Sequence, residues 1–307
     1  MNDDSLTVYA RAKINLYLDV VGRLPNGYHA VETLYQSIDL GDVLHCRRTA
    51  DETTIECDDP SVPRGPDNLI VAAADLFRRF TGIRGGLAVR LEKVVPMGGG
   101  LGGASADAAA TLVAMNRLYR TYLPLDTLER LGTGLGVDVP FCVRGGTCWA
   151  YGTGTRLRSR ESLGSYPVVL VNPGLHVDTG SAYAGLNERR WVRPSRQLSL
   201  TGLERGDKIL RGWRKALSGA RTSDGPCASV HNCFEAALFR SHPAIRSARD
   251  ALRDLGAIAL VSGSGASVFG VFALLSEAVS AEQTLRGRYA FVARTAIAQS
   301  GVRLDFE

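Results

Sequence analysis

Between Pro96 and Ala110 the chain places five glycines in six positions, Gly98, Gly99, Gly100, Gly102 and Gly103, broken only by Leu101. An alanine-rich run with strong helix-forming composition follows from Ala104. A glycine-rich turn feeding a helix start aims unpaired N–H groups and the positive end of the helix dipole at one point. That geometry suits a phosphate, and glycine lets it approach without a Cβ in the way. Ser105, near the helix start, could cap the helix, donate to a phosphate or meet a phosphate-bound Mg2+.

Two commoner glycine loops fit less well. Gly98, Gly100 and Gly103 satisfy the G-x-G-x-x-G spacing, but Pro96-Met97 separates the preceding strand from the first glycine. The acidic residue that should end the next strand is missing, because Asp126 reads as a helix N-cap. A P-loop needs Gly-Lys-Ser/Thr at its end, and here Gly103 leads into Ala104-Ser105. The loop therefore has no lysine of its own. A tight strand-to-helix turn without a ligand would need one or two glycines, not five.

Asp138 is the carboxylate to set beside this loop. It stands between Val137 and Val139 in an apolar stretch, where ionisation is disfavoured unless a cation offsets the lost hydration. A lysine alongside would keep it ready to orient or deprotonate a hydroxyl. The other reading is a turn or capping aspartate before Pro140. Only four of the 36 basic residues are lysine, Lys13, Lys93, Lys208 and Lys215. Where arginine is the default cation, a retained lysine marks a need for a compact ammonium. Lys93 precedes the glycine loop, and Lys13 is the candidate partner of Asp138. Phosphoryl transfer needs little more than positioning, cations and one group to orient the acceptor.

These residues need elements to carry them. Val8 to Val21 alternates as a strand, with Lys13, Asn15, Tyr17 and Asp19 on one face and Ile14, Leu16, Leu18 and Val20 on the other. Pro25-Asn26-Gly27 is a turn, followed by Tyr28 and His29. A capped amphipathic helix is expected over 67–80 and a strand over 87–95 into the glycine loop. Further helices are expected over 104–119 and 124–135, then a strand and turn over 148–154. The polar run 158–165 suggests a boundary near 163. Beyond it come a strand at 168–171, a basic Trp-containing section from Arg189 to Arg214, and helices near 232–240 and 243–255. A strand–turn–strand unit around Ser262-Gly263-Ser264-Gly265 closes the pattern, and could be no more than a tight hairpin. Strands and helices mixed without strict alternation favour α+β over a doubly wound sheet.

Composition narrows the class. The chain of 307 residues is long enough for two cores, 45% hydrophobic and 22% charged, with formal charge +5. No apolar run reaches a membrane span, and the acidic, polar start does not resemble a signal peptide. The six cysteines show no C-x-x-C pair and no metal spacing with the five histidines; free thiols in a cytoplasmic enzyme account for them. The stretch Arg189 to Arg196 holds four arginines and Trp191. It raises nucleic-acid binding as an alternative, against the plainer reading of a solvated basic insertion.

Three stretches together resemble the GHMP kinases. They are Ala12 to Leu18 with Gly22 to His29; Pro96 to Asn116 continuing to Gly136-Val137-Asp138-Val139-Pro140-Phe141; and Ser262 to Ala266 with Phe269. The similarity is clear over about 8–155 and thin beyond, except at the third stretch. It implies an α+β fold of two domains, a ribosomal S5 domain 2-like one (1–163) and a ferredoxin-like one (164–307), with ATP and acceptor meeting between them. By position, Asp138 matches the family's catalytic carboxylate, Lys13 its partner and Asn15 a substrate-side polar group. Pro96, Gly98, Gly99, Gly100, Leu101, Gly102, Gly103, Ala104 and Ser105 match the ATP phosphate loop, with Asn68 and Lys93 near the nucleotide.

Gly27-Tyr28-His29 after Lys13-x-Asn15 resembles the branch whose acceptor carries a cytidine diphosphate. Tyr28 would stack on the base, His29 read its edge, and Tyr183, after Pro173-Gly174, cover the other face. The implied reaction is ATP-dependent phosphorylation of the 2-hydroxyl of a cytidine-diphosphate-linked methylerythritol, in the non-mevalonate route to isoprenoid precursors. ATP and Mg2+ are the implied cofactors. The implied enzyme is a cytoplasmic monomer or homodimer acting on a small molecule, without a nucleic-acid or membrane partner. The family usually has Gly-Ser-Ser where Ala104-Ser105-Ala106 stands here, so phosphate or metal contact falls on Ser105 and the metal ligands stay open.

Overall fold

The computed structural model describes residues 4–25, 27–186, 198–219 and 229–305. Asn26 of the expected turn, the basic stretch Arg189 to Arg196 and Cys227 lie outside them. The chain opens with two long strands, β1 (Ser5–Arg23) and β2 (His29–Thr49), paired antiparallel along almost their whole length. Then come β3 (Thr54–Cys57), α1 (Leu69–Thr81), β4 (Gly86–Glu92), α2 (Gly103–Leu118), α3 (Leu125–Thr133), α4 (Val139–Arg144), β5 (Thr147–Gly152) and β6 (Arg156–Arg160). Because β2 is so long, it pairs β5 through residues 31–36 and β4 through 43–49.

Asn68 caps α1, its Oδ1 accepting from the Ile70 amide at 2.9 Å. The next connection differs from expectation. β4 stops at Glu92, not at Val95, because Asp42 Oδ1 accepts from the amides of Val94 and Val95 at 2.6 and 2.8 Å and takes them out of the ladder. α2 is buried on nearly every side, which its small residues allow; Ala106, Ala108, Ala109 and Ala110 pack among Phe77, Met115, Phe141 and the first sheet.

The remaining elements are β7 (Pro167–Asn172), α5 (Thr179–Ala184), α6 (Leu198–Leu217), β8 (His231–Asn232), α7 (Glu235–Ser241), α8 (Pro243–Asp254), β9 (Ile258–Val261), β10 (Val268–Val271), α9 (Leu275–Leu285), β11 (Phe291–Ala296) and β12 (Val302–Asp305). Four of these strands form an antiparallel sheet in the order β11-β7-β10-β9. Numbered within the sheet by chain order, that is 4-1-3-2, the ferredoxin-like arrangement. α8 and α9 cover it, with Ile245, Leu252, Ala278 and Leu285 in its core.

The chain beyond residue 164 does not stay with that sheet. β12 pairs antiparallel with β1 at 7–10, and β8 pairs parallel with β1 at 17–18. α6, whose apolar residues Ile209, Leu210, Trp213 and Leu217 follow helical spacing, packs against β2, β5 and β6. Trp213 donates from Nε1 to the Leu16 carbonyl at 2.9 Å. With Trp149, Leu101 and Phe269 it forms a third core between the two sheets. β1 is thus covered on both faces. The expected polar face of Lys13, Asn15 and Tyr17 is a buried polar layer, not a solvent face, and the pairing shifts register at Arg11/Lys13 and Asn15/Tyr17.

Candidate active site

Lys13 is the hub. Its Nζ lies 3.0 Å from Asn15 Oδ1, 3.0 Å from the Gly100 carbonyl and 3.4 Å from Asp138 Oδ2. Its side chain is 4% exposed, so the ammonium is held in place by these acceptors and not by water. Asp138 stands at the N-cap position of α4 but does not cap it. One oxygen faces Lys13, and the other accepts from the Tyr35 hydroxyl at 2.7 Å. The structural reading of Asp138 as a capping residue therefore fails. Its surroundings are less apolar than the sequence implied, since Val137 is exposed.

Tyr35 was not legible as a site residue. It sits on β2 directly opposite Asn15, an adjacency that only strand register reveals. Burial, reinforced by the Asp138 charge, pushes its phenol well above the ordinary tyrosine value, so it stays a hydrogen-bond donor. Asn15 in turn accepts from the Gly263 amide at 2.9 Å and donates to Thr33 Oγ1 at 2.8 Å.

The Ser262–Ala266 turn is more than a hairpin. Ser262 Oγ donates to the Gly100 carbonyl at 2.9 Å, and the Ser267 amide donates to the Gly99 carbonyl at 3.0 Å. Asn232, unmarked in the sequence, donates to the carbonyls of Val261 and Gly263 at 2.8 Å. The turn thus braces the glycine loop from the second sheet. At Gly100 (φ +74) the fit is tight: a Cβ would stand 2.1 Å from the Ser262 carbonyl oxygen.

Two cavities meet at that loop. One, of about 310 Å3, is lined by Asn68, Lys93, Pro96, Gly98, Gly99, Gly100, Gly102, Gly103, Ala104, Ser105 and Asp107. The N-cap of α2 is Gly102, which has no side chain to cap with, so first-turn amides remain for an anion. Ser105 neither caps the helix nor is buried. The other cavity, a cleft of about 360 Å3, is lined by Lys13, Asn15, Tyr35, Gly98, Gly100, Asp138, His176, Tyr183, Gly263 and Ser264 among others. Gly98 and Gly100 belong to both.

Three expected residues make contacts that the sequence did not show. Leu101 contributes no side chain to either cavity: it is 1% exposed in the core between the sheets, and only its carbonyl takes part, accepting from the Lys13 amide at 2.9 Å. Lys93 is not a free ammonium for phosphate. It bonds the carboxylates of Asp42 and, at 3.1 Å, Asp107. Asp107, buried and beside Asp42, has its carboxyl pushed up to about 8, with Lys93 only partly offsetting burial; its Oδ1 has no hydrogen-bond partner. Tyr183 lines the cleft but lends its ring to His29, stacked at 4.5 Å between centroids, and meets Phe234 edge-on. A base cannot enter between rings that close. Tyr28 is 62% exposed.

Comparisons with known proteins identify the family. The family models for the GHMP kinases N terminal domain and the GHMP kinases C terminal domain match residues 68–146 and 206–290. The chain belongs to the GHMP kinases. Among members of this kinase family it is similar to the 4-diphosphocytidyl-2-C-methyl-D-erythritol kinase of Synechococcus sp. (strain JA-3-3Ab), 39% identical over 91% of this chain and 89% of the relative. It is also similar to a crystal structure of 4-(cytidine 5'-diphospho)-2C-methyl-D-erythritol kinase, at TM-score 0.78 and 31% identity, covering 95% of this chain and 99% of that one. The homoserine kinase of Cytophaga hutchinsonii, at TM-score 0.70 and 21% identity over 99% and 98%, shares the GHMP kinase fold. No described helix is long and apolar enough to cross a membrane.

Proposed function

We propose that this GHMP kinase transfers the terminal phosphoryl group of ATP to the 2-hydroxyl of 4-diphosphocytidyl-2-C-methyl-D-erythritol, a step of the non-mevalonate route to isoprenoid precursors. The carrying observation is the Lys13–Asp138 pair, 3.4 Å apart in a cleft that shares Gly98 and Gly100 with the cavity of the glycine loop. ATP lies with its phosphates on the loop from Pro96 to Ser105. The acceptor hydroxyl faces Asp138, which orients it and takes its proton as the oxygen attacks phosphorus and ADP leaves. Lys13 keeps Asp138 ionised and offsets charge on the transferring group.

Mg2+ fits this site as an ion carried by the nucleotide. Among the described residues no group of three or more His, Cys, Asp or Glu could hold a metal, and Mg2+ is commonly held by substrate phosphates and waters with few protein ligands. Ser105 is the hydroxyl of this chain placed to join such a set. Bound Mg2+ would neutralise phosphate charge.

The cytidine end of the acceptor lies toward Tyr183 and His29, the base stacking on the outer face of that pair and not between the two rings. We keep the division at 163/164 as the working domain boundary, with β8 and β12 returning to the first sheet. The acceptor is a small molecule; the basic stretch that suggested nucleic acid lies outside the described residues. ADP release from Mg-ATP, measured with the cytidine compound, mevalonate, homoserine and galactose, tests the reading. Turnover confined to the cytidine compound is expected. Turnover with another acceptor alone would keep the kinase and discard the cytidine assignment.

A further inference from the structure

His176, in the connection after β7, was marked by no motif. Its imidazole lies directly on the glycine loop: a Cβ on Gly98 (φ +64) would stand 2.2 Å from His176 Nδ1 and 2.6 Å from Cε1. Gly98 belongs to both cavities, but of these two His176 lines only the cleft that holds Lys13 and Asp138. The ring therefore marks the point where the loop passes from the nucleotide to the acceptor, which is where the terminal phosphoryl group must lie. Among the described residues no hydrogen bond holds this ring.

The site also lacks a donor that His176 can supply. The loop has no lysine of its own, and Lys93 is committed to Asp42 and Asp107. Lys13 is shared among Asn15, Gly100 and Asp138. Charge in phosphoryl transfer spreads over three equatorial oxygens, and one shared ammonium leaves it incompletely met. We propose that His176 is a catalytic residue that donates a hydrogen bond to the terminal phosphoryl group of ATP. This rests on the kinase reading above and adds to it a contact specific to the transferred group.

Ionisable groups surround the ring. Asp178, two residues on, interacts with it electrostatically. Lys13, Asp138 and Tyr183 share its cleft, and Arg240 and His242 share the adjoining cavity that His176 also lines.

The test is calorimetric binding of Mg-ADP and of the β,γ-imido analogue of ATP to the wild type, His176→Ala and His176→Gln. Loss of a charge-assisted hydrogen bond corresponds to about tenfold in affinity. The expected result is about that loss for the imido analogue in His176→Ala, and under about twofold for ADP. His176→Gln, which keeps a neutral donor, should recover part of the affinity. Equal losses for both nucleotides, or none, would overturn the proposal and leave His176 as a wall of the loop. Failure of the wild type to use the cytidine acceptor would instead sink the substrate reading, and this binding difference would still be measurable.

Discussion

Tyr35 holds the oxygen of Asp138 that Lys13 does not. Its hydroxyl donates to Oδ1 at 2.7 Å, while Lys13 approaches Oδ2 at 3.4 Å. The carboxylate is gripped from two sides, and its plane is fixed relative to the cleft. Tyr35→Phe removes one neutral donor and keeps the ring stacked on Phe141 at 4.8 Å. A hydrogen bond of about 1 kcal/mol translates into about a fivefold fall in kcat, with KM for ATP unchanged. An unaltered kcat in steady-state assays would show that Lys13 alone positions Asp138.

The pair itself should matter far more. Lys13→Ala and Asp138→Asn are each expected to lower kcat by about 10²- to 10⁴-fold with modest change in KM, the range for a lost acid–base group. Circular dichroism and melting curves must accompany Lys13→Ala, because its ammonium is buried and serves three acceptors. Near-normal turnover in a folded variant would take that residue off the catalytic list.

Gly100→Ala combines a steric and a conformational penalty. The new Cβ would meet the Ser262 carbonyl oxygen at 2.1 Å, in backbone with φ +74. Gly82 shares a positive φ of +77, but a Cβ there meets nothing within 4 Å. Gly82→Ala should cost only the backbone term, about 1–2 kcal/mol, and keep full activity. Gly100→Ala should part the loop from its brace and raise the Kd for ATP by more than about tenfold. Equal behaviour of the two variants would refute the brace.

The stacked rings of His29 and Tyr183 supply a readout of acceptor binding. Tyr183→Ala removes a ring that packs on both His29 and Phe234. We expect KM for the cytidine acceptor to rise by about tenfold, the effect of about 1–1.5 kcal/mol of aromatic contact, with KM for ATP within about twofold. A rise confined to ATP would move the base site elsewhere.

Asp107 gives the stability a pH dependence of known sign. Burial, with the Asp42 charge adding to it, holds its carboxyl up to about 8, against about 3.9 in an unfolded chain. The folded state therefore binds the extra proton, and this contribution is full below about pH 4 and lost as pH rises towards 8. Asp107→Asn cannot titrate. Its melting temperature relative to wild type should rise between pH 5 and pH 8.5; a flat or falling difference would place the proton elsewhere in the triad.

What could be read from sequence was local. The glycine loop and α2 are written in contiguous residues whose backbone needs are explicit, and the Lys13-x-Asn15 strand carries its own alternation. The contacts that complete the site are set by tertiary pairing. Tyr35 reaches Asp138 because of β-sheet register, and Asn232, on β8 beside β1, reaches the Ser262 turn of the second sheet. The ion pairs of Lys93 stayed hidden because its partners, Asp42 and Asp107, are 51 and 14 residues away and an isolated lysine does not reveal them. α6 hid behind its arginines, although Ile209, Leu210, Trp213 and Leu217 kept a helical rhythm. The stacking of Tyr183 on His29 depends on how the two sheets meet.

The return of β12 to β1 has a consequence for biosynthesis. β1 bears Lys13, yet one of its edges stays uncovered until residues 231–232 and 302–305 arrive. During translation that edge is an unpaired template beside hydrophobic residues, the condition in which nascent chains associate wrongly. A ribosome-bound or truncated form lacking 302–305 should thus depend on chaperones even though it contains every catalytic group. The strand that carries Lys13 is safe only once residues 302–305 have been made.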